Sequence, residues 1–238
     1  MSGRLIPDGR VRLCVIALVF ASILSLAMLT GRVVYTRKPF MGFYVWNLIL
    51  AWLPLIFAVR VYQADLARPA RWWPLAVGSI LWFLFFPNAP YIVTDFLHLF
   101  GAHHKGVLPV PTWFDIVMMM SFAWTGLCLG YLSLFLMQEI VRVRRGRNWS
   151  WFFAVSMLAL GSFGIYLGRF QRWNSWDVIA KPMVLVDDMN EMMSFKNGPE
   201  MTVFLATFFA FSLLSYATLY ALTHLHESAP RSRSADAK

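Results

Sequence analysis

An aspartate and a histidine in the middle of the chain have the spacing for metal binding or proton transfer. Asp95 and His98 lie three residues apart, shortly after Tyr91 and Thr94. If this segment is helical, the four side chains fall on one face at i, i+3, i+4 and i+7, whereas in a strand Asp95 and His98 would point in opposite directions. A carboxylate beside an imidazole is the arrangement of a metal-ligand pair or of an oriented general base.

Two ligands alone are weak evidence for a metal site. Structural zinc sites need four ligands and catalytic ones usually three, and the nearby additions are His103, His104 and Asp115. A divalent metal on Asp95, His98 and Asp115 is therefore one hypothesis, and the cofactor stays open. The alternative is a hydrogen-bonded pair at a solvated surface.

A second polar stretch begins at Gly168 and continues through Asp177. Arg169 and Arg172 can hold a phosphate or carboxylate, because a guanidinium matches those oxygens with two parallel hydrogen bonds. Complementing the dipole of a helix end would also explain both arginines, but it leaves Asn174 and Asp177 unexplained. We take Asn174 with the arginines as candidate ligand-binding residues, and Asp177 with Asp95 and His98 as candidate catalytic residues.

The elements that position these residues are predicted to be membrane helices. The composition is 59% hydrophobic and 14% charged, against about 45–50% and about 25% in soluble domains, which excludes an ordinary water-soluble enzyme. A bilayer core of about 30 Å requires roughly 20 helical residues, and backbone groups in lipid must pair internally. The charge-free stretches predict an all-α polytopic membrane protein with about six transmembrane helices, at 13–31, 42–59, 72–87, 114–138, 149–168 and 201–223.

The arginines and lysines predict the orientation. The single transmembrane domain spans 13–226, between an N-terminal segment 1–12 and a disordered tail 227–238. More Lys and Arg fall in the inner segments if both termini are cytoplasmic, so the third and fifth connections become two longer extracytoplasmic loops. The expected location is the cytoplasmic (inner) membrane of a bacterium.

The basic charge also bears on the partners. An anionic cytoplasmic leaflet attracts the excess positive charge, so no nucleic-acid partner is expected. The expected partners are membrane lipids, with a membrane protein as a further candidate, and the oligomeric state stays open.

Two prolines predict an irregular end to the third helix. Pro87 and Pro90 each remove a backbone donor and disfavour the helical conformation at Phe86 and Ala89. We therefore expect the helix to break there. The break either lines a wet cavity with free carbonyls or simply ends the helix.

Glycines four residues apart predict close helix packing. Gly126 and Gly130 lie in the fourth predicted span, and Gly164 and Gly168 lie in the fifth. Such small-xxx-small faces let helix backbones approach each other. They predict that the fourth and fifth helices pack together through their glycines.

The two polar stretches together carry a family resemblance. They read Pro87-Asn88-Ala89-Pro90-Tyr91-Ile92-x-Thr94-Asp95-x-x-His98 and Gly168-Arg169-x-x-Arg172-Trp173-Asn174-Ser175-Trp176-Asp177, with Trp113-Phe114-Asp115 before the fourth helix. From about Val45 to the last span, the chain resembles the bacterial membrane family catalogued as domain of unknown function 1361. The resemblance implies an integral membrane protein whose signature residues lie in these two loops, and it supplies no activity. Asn88 and Tyr91 of the first stretch join the candidate ligand-binding residues.

Both stretches fall on the same predicted face, so they can form one polar site. The leading hypothesis is an extracytoplasmic membrane enzyme or a binding site for an anionic lipid or envelope intermediate. No H-E-x-x-H, G-x-S-x-G or phosphate-binding glycine loop specifies its chemistry. The alternatives are a non-catalytic membrane scaffold or subunit, and a transporter of a small solute or ion.

Overall fold

The fold is known from a computed structural model, which describes residues 8–67, 72–98, 110–173, 183 and 198–224. The regular elements of these residues are all helical, as the sequence predicted. They are α1 (Asp8–Thr36), α2 (Phe43–Ala67), α3 (Trp73–Phe85), α4 (Asn88–Tyr91), a 3-10 helix (Ile92–Phe96), α5 (Thr112–Arg145), α6 (Arg147–Phe170) and α7 (Gly198–His224).

Six helical segments of the described chain are long and apolar enough to cross a membrane. Five of them are α1, α2, α5, α6 and α7, and the sixth is the composite segment Trp73–Phe96, which joins α3, α4 and the 3-10 helix. The predicted fold class and the predicted number of apolar helices are thus confirmed. The helices run beyond the predicted spans, and α1 continues to Thr36. Arg32, which was expected in a connection, is therefore a buried helical residue.

Helix α5 forms the centre of the bundle. It contacts α1, α2, α4, the 3-10 helix and α6. Met118, Phe122, Leu129 and Leu136 on this helix are fully buried. A helix that is apolar on most sides is expected in such a position, because its neighbours cover more than half of it.

The regular α-helix α3 ends at Phe85, as the prolines predicted, but the expected departure of the backbone from the helical region is wrong. Phe86 keeps helical angles (φ −52°, ψ −42°), as does Pro87 (φ −61°, ψ −25°), and the chain tightens into a 3-10 helix instead of leaving the helical region. The carbonyl groups expected to be free have partners. The Asn88 side-chain amide donates to the Phe85 carbonyl at 3.1 Å, and the Ala89 N–H donates to the Phe86 carbonyl at 3.3 Å.

The glycines of α5 and α6 hold the proline segment Phe86–Ile92 between the two helices. A Cβ on Gly126 would lie 2.5 Å from the Ala89 carbonyl oxygen, and a Cβ on Gly164 would lie 2.7 Å from Pro87 Cγ. Helices α5 and α6 do pack together, but the prediction that their glycine faces mediate this contact is wrong. Close packing on both sides is the physical reason why the proline segment stays helical, since tertiary contacts override a local preference.

Candidate functional site

Polar side chains meet at one end of the bundle, which we call the Asp95 end. Here α1, the composite third segment and α6 end, while α2 and α5 begin. Arg32 near the end of α1 donates a hydrogen bond to Asp115 near the start of α5. Asp95 accepts hydrogen bonds from Asn47 near the start of α2 and from Arg169 near the end of α6. Side chains from five segments thus form two separate polar groups at this end.

The Asp95 carboxylate lies at the centre of the first group. It is 1% exposed. Its Oδ1 accepts a hydrogen bond from Arg169 Nη2 at 2.7 Å, and its Oδ2 accepts one from Asn47 Nδ2 at 2.8 Å. Arg169 Nε also donates to Thr94 Oγ1 at 2.9 Å. Because each carboxylate oxygen has a donor and one donor is charged, these contacts offset part of the cost of burying Asp95.

The ring of His98 lies at the solvent-facing side of this group. Its Nδ1 is 3.2 Å from the Asp95 carbonyl oxygen and 3.9 Å from Asp95 Oδ1. The ring packs 4.6 Å from that of Phe43, and the His98 side chain is 38% exposed. His98 is thus more exposed than Asp95, whose carboxylate is buried and accepts a hydrogen bond from Arg169.

The 3-10 helix and the residues on either side of it carry the four residues whose helical spacing the sequence singled out. Thr94 donates its hydroxyl hydrogen to the Tyr91 carbonyl at 2.7 Å, and Arg169 Cζ lies 5.0 Å from the centre of the Tyr91 ring. A guanidinium at this distance is attracted to the face of an aromatic ring. Tyr91, Thr94 and Asp95 therefore contact one arginine, which the second polar stretch supplies, and His98 lies next to Asp95.

The second group is the ion pair of Arg32 and Asp115. Arg32 Nε lies 2.7 Å from Asp115 Oδ1 and Arg32 Nη2 lies 3.2 Å from Oδ2, and both side chains are fully buried. Tyr44 lies within electrostatic range of Asp115, Asp95 and Arg169, and its buried hydroxyl has no hydrogen-bond partner among the described residues. This tyrosine is therefore near charged groups of both ion pairs.

The arrangement offers little support for the metal hypothesis. In the part of the chain that the structure describes, no three His, Cys, Asp or Glu side chains lie close enough to hold a metal ion. Both oxygens of Asp115 accept hydrogen bonds from Arg32. His103 and His104 lie outside the described residues. A metal on Asp95, His98 and Asp115 therefore lacks an available third ligand within these residues.

A cleft of about 470 Å³ opens beside the Asp95 group, between α2, the composite third segment and α6. We call it the Arg172 cleft. Asn47, Asn88, Tyr91 and Arg172 line its polar part, and Arg172 is the one charged residue among the described residues that line it. Asn47 and Tyr91 belong to the Asp95 group as well, so that group forms part of the wall of the cleft.

The backbone places Arg172 at the cleft. Arg172 has a positive φ of 58°, and the Trp173 N–H donates back to the Leu167 carbonyl at 3.2 Å. A left-handed residue of this kind commonly ends a helix and turns the chain. Asn174 and Asp177, the other candidates of this stretch, lie outside the described residues.

Sequence reasoning missed three residues of the site: Asn47, Tyr44 and Arg32. Asn47 carried a signal, because an amide in an otherwise apolar, charge-free stretch is costly unless it has a partner. Arg32 carried a weaker signal, since it follows the predicted first span directly. Its partner Asp115 is 83 residues away in the chain, so spacing gave no indication of the pair.

Comparison with known proteins gives one match. The family model described as protein of unknown function (DUF1361) matches residues 46–215, which is more than half of the chain. No curated protein and no solved structure matches the chain.

Proposed function

We propose that this chain, which belongs to the DUF1361 family, binds an anionic lipid or lipid-linked envelope intermediate in the Arg172 cleft. The observation that carries the proposal is the composition of the cleft wall, which is apolar apart from a few polar residues around one arginine. Small-molecule sites commonly combine an apolar wall with a few convergent polar groups. A lipid presents the complementary pattern of hydrocarbon and charged headgroup.

The headgroup is assigned to Arg172. Its side chain is exposed, so its charge is available to a ligand, in contrast to Arg169, which is committed to Asp95 and Thr94. The amide of Asn47 and the ring of Tyr91 are held beside it by the Asp95 group. In this proposal Asp95, Arg169 and Thr94 are positioning residues, and Arg172, Asn88, Tyr91 and Asn47 contact the ligand.

The hydrocarbon part is assigned to the apolar wall, which includes Phe83, Leu84, Leu160 and Phe163. Leu160 and Phe83 are exposed on segments long and apolar enough to cross a membrane. A lipid chain can therefore enter the cleft sideways from the bilayer without passing through water. Access from the membrane favours a lipid over a water-soluble solute.

The proposal includes a location and an orientation. We place the chain in the cytoplasmic membrane of a bacterium with the Asp95 end outside. The excess of Lys and Arg in the connections predicted to be cytoplasmic supports this orientation. The ligand headgroup would then lie in the outer leaflet. The catalytic roles predicted for Asp95, His98 and Asp177 stay predictions, because binding does not require them.

The test compares lipid retention in two arginine variants by native mass spectrometry of protein released from mixed anionic and zwitterionic bilayers. Arg172→Gln removes the charge from the cleft. Arg37→Gln is the matched control, because Arg37 is also exposed, also has a positive φ (53°) and also follows the end of a helix, yet it is absent from the cleft wall. We expect Arg172→Gln to lower the ratio of anionic to zwitterionic bound lipid by about tenfold, as the loss of one charge-assisted contact predicts.

The control should keep the wild-type ratio. Equal ratios in all three proteins would show that Arg172 does not select the headgroup and would overturn the proposal. A loss of equal size in both variants would mean that any exposed arginine at this end attracts anionic lipid, and it would also remove the cleft from the explanation.

A further inference from the structure

A second cavity lies at the other end of the same helices. Its volume is about 410 Å³, and it extends between α2, α3, α5 and α6 to Asp65 and Arg144, which form an ion pair. We call it the Arg144 cavity. Phe83 lines both this cavity and the Arg172 cleft. The Phe83 side chain therefore borders both spaces.

One face of α6 lines both spaces. Phe153 and Met157 line the Arg144 cavity, and Gly161, Gly164 and Gly168 line the Arg172 cleft. These positions follow each other at intervals of three or four residues, so they lie along a single stripe of the helix. The cleft and the cavity thus follow each other along α6, and we call the two together the α6 groove.

The groove is longer than one leaflet of a bilayer. On the composite third segment its lining extends from Leu75 to Tyr91, which at about 1.5 Å per residue corresponds to about 24 Å. One leaflet contributes half of a hydrocarbon core of about 30 Å, or about 15 Å. An acyl chain that ends near the bilayer midplane would fill the Arg172 cleft and leave the Arg144 cavity empty.

We propose that the ligand of the Arg172 cleft is a polyprenyl phosphate, whose chain passes Phe83 and continues into the Arg144 cavity. This inference rests on the proposed function and names the lipid class. Polyprenyl phosphates combine an anionic headgroup with a hydrocarbon chain longer than one leaflet, which is the combination that one arginine and this groove complement. Phe83 is 45% exposed, so its ring has room to turn aside for a chain.

The test uses two phosphates with the same headgroup and different chains, farnesyl phosphate and undecaprenyl phosphate, with the full chain in detergent micelles. Ile80→Trp narrows the Arg144 cavity from a position that lines it and is itself exposed. Val77→Trp is the matched control, because Val77 is exposed on the same helix one turn earlier and does not line the cavity. Both variants add an indole on the lipid-facing side, so neither disturbs the core.

For each protein we compare the ratio of its affinity for undecaprenyl phosphate to its affinity for farnesyl phosphate. This ratio should be at least about tenfold higher in the wild type and in Val77→Trp than in Ile80→Trp, since displacing a few buried CH₂ groups has an effect of this size. Binding of farnesyl phosphate should be equal in all three proteins. General partitioning of long chains into micelles is the same for each protein and cancels in this comparison.

Two failures are distinguishable. If all three proteins show the same ratio of affinities while Arg172→Gln weakens both lipids, the chain does not occupy the Arg144 cavity, and the inference falls while the proposed function stands. If Arg172→Gln binds both phosphates as tightly as the wild type, the headgroup site is absent and both proposals fall.

Discussion

At the scale of single residues, we expect the loss of the Asp95–Arg169 ion pair to lower the free energy of unfolding the most. Asp95 is 1% exposed and the side chain of Arg169 11% exposed, so removal of either partner leaves a charge in a region with little water. Breaking such a pair typically costs about 3–5 kcal/mol. We expect Asp95→Asn and Arg169→Gln each to lower the free energy of unfolding by an amount in this range, measured by denaturant titration in micelles.

The double variant tests whether Asp95 and Arg169 interact directly. Asp95→Asn combined with Arg169→Gln leaves no unpaired charge, so its loss of stability should be smaller than the sum of the two single losses. Tyr44→Phe is the control, because it removes a buried hydroxyl without a partner among the described residues near the same pair and should be nearly neutral. Additive losses in the cycle would contradict a direct ion pair.

Sequence spacing predicted one part of this site and not the other. Tyr91, Thr94, Asp95 and His98 could be grouped in advance, because they lie within two turns of one helical segment. Asn47 could not, since its partner Asp95 is 48 residues away and local periodicity contains no information on which helices are neighbours. Local helical spacing thus predicted some residues of the site. The residues it missed join the site through tertiary contacts.

At the scale of the elements, the contact between α5 and the proline segment should be the least tolerant of added volume. A Cβ on Gly126 would lie 2.5 Å from the Ala89 carbonyl oxygen, and a backbone atom held between two helices has little freedom to move. We expect Gly126→Ala to lower the free energy of unfolding by about 1–3 kcal/mol, the usual cost of overpacking. The measurement is thermal or denaturant unfolding in micelles.

Gly31→Ala is the matched control for this substitution. Gly31 lies in the interior of α1, and a Cβ there would meet nothing within 4 Å. Since alanine favours helix over glycine by up to about 1 kcal/mol, this variant should be neutral or slightly more stable. A Gly126→Ala protein as stable as Gly31→Ala would contradict the packing of α5 against the proline segment.

The elements themselves were largely predictable, because length and apolarity alone decide whether a helix can cross a bilayer. The course of the chain at Pro87 was not predictable in this way. The local preference of a residue before proline favours an extended conformation, but Gly126 and Gly164 allow the neighbouring helices to pack closely against the segment. Sequence spacing identified both the prolines and the glycines, and only the fold shows that they are partners.

At the scale of the whole molecule, ion pairs with a buried aspartate lie at both ends of the bundle. Asp95 with Arg169 and Arg32 with Asp115 join helices at the Asp95 end, and Asp65 with Arg144 joins α2 to α5 at the other end. Charges near the ends of membrane helices cost less than charges at the bilayer centre. The Arg172 cleft lies toward the Asp95 end and the Arg144 cavity toward the other end, so the orientation of the bundle decides which leaflet supplies the proposed headgroup.

That orientation is testable with two exposed arginines. Arg37 lies at the Asp95 end and Arg147 at the opposite end. The two native cysteines, Cys14 and Cys128, are first replaced by serine, and a single cysteine is then introduced as Arg37→Cys or Arg147→Cys. The positive-inside rule predicts that a membrane-impermeant maleimide labels the first variant on intact cells and the second only after permeabilisation. The reverse pattern would place the Asp95 end in the cytoplasm, and the proposed lipid would then present its headgroup from the inner leaflet.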